Sequence, residues 1–171
     1  MNYKHQNKHG FTLVEIIASL FIIGMIASIA GMGIVQLANG FIFSKQNAET
    51  VQKAQLAMSR LVKELTSDTT LSSGTSVAII FTNSRSTGSH QIRWDSAAKQ
   101  LLFDENTAAS DEVILTDDVN AFDLKYYDSY STPSSPSTSY SAASSIIEIT
   151  LELDGAGDTS TTFTDRVFLR D

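Results

Sequence analysis

Apolar residues crowd the front of this chain. Residues 1–10 are polar and carry Lys4 and Lys8, whereas no charged residue occurs from Ile16 to Ser44. As a helix rising about 1.5 Å per residue, that run reaches roughly 40 Å, enough to cross a hydrocarbon core of about 30 Å. Beyond Lys45 the pattern becomes amphipathic. Val51, Ala54, Met58, Leu61 and Leu65 recur at three- and four-residue spacing, while Gln52, Lys53, Gln55, Arg60, Lys63 and Glu64 fall mostly on the solvent side. No proline interrupts Phe11 to Ser67. The pattern predicts a single helix over residues 11–67, membrane-spanning at about 16–40. The apolar stripe of its second half is a possible partner face, covered first of all by the domain that follows.

Ser67, Ser72, Ser73 and Gly74 are expected to end the helix and open a loop. Strand-like runs follow at Val77–Thr82, Gln91–Asp95, Gln100–Asp104, Glu112–Thr116, Ala121–Tyr127, Ile146–Leu153 and Thr162–Leu169. Ile147 to Leu153 alternates strictly, apolar at odd positions and polar at even ones, as in a half-buried strand. Asp95–Lys99 and Asp154–Asp158 read as hairpin connections. The strands lie too close together for crossover helices, so the sheet is expected to be antiparallel. Helix first and strands after predicts an α+β class, with a β domain over residues 68–171. Within it, the Ser/Thr/Pro-rich segment 129–145 reads as a long, exposed and mobile loop.

Composition narrows the functions. The chain has 171 residues, no cysteine and a formal charge of −7. Disulfides and thiolate metal sites are therefore excluded, and binding to nucleic-acid backbones by bulk charge is disfavoured. Lys4 and Lys8 on the short N-terminal side favour a cytoplasmic N-terminus and an exported C-terminal domain. Enzymatic chemistry finds little support. His5 and His9 lie in the first ten residues, and His90 reads as a solvated loop histidine. No phosphate loop, dinucleotide fingerprint or zinc spacing is present, and no cofactor is expected. Asp154 and Asp158 flank a glycine turn that could hold calcium, although an ordinary hairpin with solvated charges explains them better and the ligand spacing of an EF-hand is missing.

Glu15 breaks the apolar logic at the mouth of the hydrophobic run. A carboxylate there needs a partner and marks a functional position. Thr12-Leu13-Val14-Glu15 also spells a capping box, in which Thr12 and Glu15 satisfy backbone donors at a helix start. A secretory signal is the competing reading of the whole segment, with Ser28-Ile29-Ala30 as its small-x-small cleavage site. Against it stand Glu15 and the further apolar stretch from Met32 to Phe43. Gly24, Gly31 and Gly33 within the helix would permit close helix approach or local unwinding, or reflect the ordinary frequency of glycine in membrane helices.

Gly10-Phe11-Thr12-Leu13-Val14-Glu15, after a short basic leader and before a long apolar helix, resembles the cleavage signature of type IV prepilins and pseudopilins. The resemblance implies a leader of residues 1–10, cleavage between Gly10 and Phe11 by the prepilin peptidase, and N-methylation of Phe11. It also implies that Glu15 pairs with the N-terminal amine of a neighbouring subunit in a filament. The helix end Arg60–Leu65, the stretch Val113–Leu115 leading into Val119–Phe122, and the closing Val167–Arg170 are similar to J-type minor pseudopilins of type II secretion and W-type minor pilins. That likeness implies a subunit that initiates or caps a filament. Its partners would be the peptidase, other minor and major pilins or pseudopilins, and the inner membrane. The alternative is an adhesin or substrate-binding subunit that displays the 129–145 loop.

Overall fold

A computed structural model describes residues 10–66, 69–84, 87–109, 111–128 and 135–169. The chain divides into two compact units, one ending at Phe43 and one beginning at Ser44. A single α-helix, α1, runs Leu13–Thr66, close to the expected bounds. The absence of proline permits its length. The glycines at 24, 31 and 33 do not interrupt it, and a methyl group added at any of them would meet open space.

Among the described residues eight antiparallel strands follow: β1 Thr69–Gly74, β2 Ala78–Asn83, β3 His90–Asp95, β4 Gln100–Asp104, β5 Glu112–Thr116, β6 Val119–Tyr127, β7 Ile146–Asp154 and β8 Ser160–Phe168. The α+β class is as expected, but the strands form two sheets rather than one. The first has the order β1-β2-β3-β4-β5 and the second β6-β7-β8. The break falls at Asp117–Asp118, where Asp118 takes a left-handed conformation (φ 58°) and turns the chain away from β5. β1 was expected to be loop. Thr70 and Leu71 pair instead with Thr82 and Phe81, since an edge strand needs only one neighbour and tolerates the serines that follow.

One face of α1 closes the core of the second unit. Ala54, Ala57, Met58, Leu61 and Leu65 are buried together with Ile79, Phe81, Ile92, Leu101 and Phe103 of the first sheet. The second sheet contributes Val119, Phe122, Leu124, Tyr126 and the odd residues of β7, Ile147 to Leu153. Each buried Val, Leu, Ile, Phe or Met side chain among them contributes about 1.5–3 kcal/mol by leaving water. The even face of β7 is less open than alternation suggests. Glu148 is buried beneath Arg166, whose Nη2 lies 2.6 Å from its carboxylate.

His90 is a correction to the reading of a solvated loop residue. It opens β3 and is only 2% exposed, with its ring centroid 5.4 Å from Phe81 and 6.0 Å from Phe103. The described part of the 129–145 segment is also anchored rather than loose, while residues 129–134 lie outside the described residues. Ser137 bridges to Tyr126, the Tyr140 N–H donates to the Gly74 carbonyl at 3.0 Å, and the Tyr140 ring packs edge-on against Tyr126. Gly74 is required at this crossing, because a Cβ there would collide with the Tyr126 hydroxyl. That hydroxyl donates to the Thr75 carbonyl at 3.0 Å, and burial pushes its pKa above the usual tyrosine range.

Candidate functional site

The site begins where the backbone is not yet helical. Gly10, Phe11 and Thr12 precede α1, and Gly10 and Phe11 are exposed. Thr12 occupies the N-cap and Glu15 the third helical position, the spacing that a capping box requires. The bonds are reciprocal. The Thr12 backbone N–H donates to Glu15 Oε2 at 3.0 Å, and the Glu15 N–H donates to Thr12 Oγ1 at 3.3 Å. The Thr12 hydroxyl also donates to Oε2, at 3.0 Å. The Ser19 hydroxyl donates back to the Glu15 carbonyl at 2.7 Å.

This geometry aims the carboxylate toward the N-terminal end of the helix. Its side-chain bonds all go to Oε2, so Oε1 keeps its acceptor capacity among the described residues. Glu15 meets no cation there. Residues 1–9, including Lys4, Lys8, His5 and His9, lie outside the described residues. Downstream, the large side chains from Phe11 to Phe43 are uncovered: Phe11, Leu13, Phe21, Ile29, Met32, Leu37 and Phe41 are all more than two-thirds exposed. α1 is long and apolar enough to cross a membrane, and none of its most apolar window is buried within the protein.

The other expected positions are distributed as follows. Ala54, Met58, Leu61 and Leu65 are buried against this chain's own sheets, and Val51 is half-buried. The stripe is therefore occupied within the subunit and does not offer a free partner face. Asp154 receives Lys99 Nζ at 2.7 Å, an ordinary ion pair, and the side chain of Asp158 lies outside the described residues. No cluster of three or more His, Cys, Asp or Glu side chains gathers among the described residues.

A fastening at the start of the second unit escaped the sequence reading. Asn47 Oδ1 accepts from the Ala156 N–H at 2.9 Å, and the Thr50 hydroxyl donates to the Asp154 carbonyl at 3.3 Å. Lys53 bridges Asp117 at 2.5 Å and Asp118 at 3.1 Å. The hydrogen bond with Asp117 holds the Lys53 pKa above its ordinary value and that of Asp117 below it. The spacing 47, 50, 53 places these groups along one helix face. That alignment was visible, but their partners in two distant turns were not.

A helix uncovered over its apolar half, opening on a capped glutamate and packed over its second half on antiparallel sheets, makes an α+β, pilin-like fold. The family model for the prokaryotic N-terminal methylation motif matches residues 5–31, and that match supports a type IV pilin-like protein. The motif implies processing by prepilin peptidase and assembly with other pilins. The apolar helix fits a membrane-anchored pilin. No curated protein and no solved structure matches the chain.

Proposed function

We propose that this chain is a minor pilin or pseudopilin, made as a prepilin and used to initiate or cap a type IV pilus-like or type II secretion filament. The peptidase cuts between Gly10 and Phe11, a bond that stands exposed ahead of the first helical turn. Methylation of the new terminus leaves Phe11 cationic. The N-terminus stays on the cytoplasmic side of the inner membrane, and the β domain is exported. In the filament, Glu15 accepts the α-amine of a neighbouring subunit through the oxygen that its cap leaves free.

The observation that carries this reading is the pre-oriented Glu15 carboxylate, without a cation among the described residues, at the head of an uncovered apolar helix. Desolvating that charge in a helix bundle is costly unless an opposite charge meets it, so the pairing fixes one axial register. The minor, tip-type role rests on the resemblance of residues 60–171 to J- and W-type subunits. N-terminal mass spectrometry of the membrane-extracted protein tests the processing. A chain starting with methylated Phe11 is expected, whereas a chain starting at Gly31 would establish the secretory alternative.

A further inference from the structure

β6 is a terminal strand of the second sheet, and its free side is closed by the serine-rich segment that follows it. Two contacts fix the direction of its backbone groups. The Leu124 N–H donates to the Ser76 carbonyl at 2.8 Å, and the N–H and C=O of Tyr126 both bond to Ser137 at 2.9 Å. These even-numbered residues of β6 therefore turn away from β7. The bridge to Ser137 is isolated. Its hydroxyl donates to the Ser139 carbonyl at 2.8 Å and accepts from the Ser139 N–H at 3.1 Å, a local turn that bends the chain off the strand. Antiparallel alternation points the backbone of Pro136 and Thr138 outward, and both residues are exposed. Pro136 has no N–H to give. The segment satisfies the edge of β6 and offers almost no edge of its own.

We propose that residues 135–141 are a strap that guards β6, a built-in strand of one residue on the edge that another chain would otherwise take. Displacing the strap opens that edge to strand addition. Its remaining holds are few and local. The Tyr140 N–H donates to the Gly74 carbonyl at the end of β1, and the Tyr140 ring meets Tyr126 edge-on, 6.1 Å between centroids. Beyond the strap, the Ser141 N–H donates to Ser144 Oγ at 3.2 Å and the Ser145 hydroxyl to the Asp128 carbonyl at 3.1 Å, which returns the chain to β7. β6 itself is paired with β7 from Val119 to Tyr127, so it keeps its place when the strap leaves. Composition suits the task. Serine hydroxyls supply the short-range bonds, and proline stops the ladder. The inference does not depend on the filament reading.

The test uses the full-length chain in detergent. Ser137→Pro combined with Tyr140→Ala removes a bridge donor and the ring contact, whereas Ser137→Ala keeps the main-chain bridge and serves as control. In the double variant, amide hydrogen exchange at Tyr126 is expected to accelerate by about tenfold or more, while Ile149 in the central strand β7 keeps wild-type protection. Sedimentation is expected to show self-association above the wild-type level, rising with protein concentration. A large excess of a synthetic peptide of residues 135–141 is expected to reverse it by reclaiming the edge. Ser137→Ala is expected to match the wild type throughout. Should Ile149 also lose protection, the fold has opened, and Ser137→Pro alone is judged by the same criteria. Unchanged exchange at Tyr126 overturns the proposal. So does a freed Tyr126 amide without added self-association, or an association that the peptide does not reverse.

Discussion

At the scale of single residues, Glu15 shows how one side chain serves two purposes. Its capping bonds engage one oxygen and aim the carboxylate toward the terminus, so helix initiation and intersubunit pairing do not compete. Glu15→Gln retains a side chain able to cap but loses the charge. The expected outcome is normal membrane insertion and cleavage with strongly reduced recovery in sheared filaments; wild-type recovery would remove the pairing role. His90 makes a different point. Its ring sits between Phe81 and Phe103, and neither nitrogen has a hydrogen-bond partner among the described residues. Replacing a buried unsatisfied polar group by an apolar one of similar shape is neutral to stabilising, by about 1 kcal/mol. His90→Phe is expected to raise the melting temperature by a few degrees and His90→Ala, which leaves a cavity, to lower it.

At the scale of elements, α1 is one helix with two environments. Its first part owes nothing to tertiary packing, and its second part is held by an apolar stripe and by the Asn47, Thr50 and Lys53 fastening. The Lys53–Asp117 pair gives a pH dependence with a definite sign. Asp117 has a lowered folded pKa, so its contribution is present above the ordinary carboxylate range and is lost as pH falls through the folded value. Lys53 has a raised folded pKa, so its contribution is full below the ordinary lysine value and fades as pH rises through the folded value. Both groups are about half exposed, which keeps the effect at or below about 1 kcal/mol. Lys53→Met is expected to lower the melting temperature slightly between pH 5 and 9, and to flatten its decline below about pH 4. A wild-type acid slope in that variant would count against the pair.

For the whole molecule, the division at Phe43 and Ser44 separates a segment with no buried core among its described residues from one that contains the hydrophobic core cluster. A fragment beginning at Ser44 is therefore expected to be soluble and cooperatively folded. Thermal unfolding followed by circular dichroism checks it; a non-cooperative or absent transition would show that the fold requires the apolar half of α1.

Much of this architecture was legible beforehand because it depends on local pattern. The length of α1, the alternation of β7, the bounds of β4 and β5, and the Thr12–Glu15 box each follow from residues within one element. The decisions left to tertiary structure involve residues far apart in sequence. Thr69–Gly74 became a strand because β2 offered it an edge, and His90 was buried because Phe81 and Phe103 closed around it. The strands split into two sheets because the backbone turns at Asp118, and Tyr140 was drawn in by Gly74 and Tyr126. Periodicity determines which face of an element is apolar. Which partner covers that face, and which edge is left open, is decided only when distant segments compete for the same space.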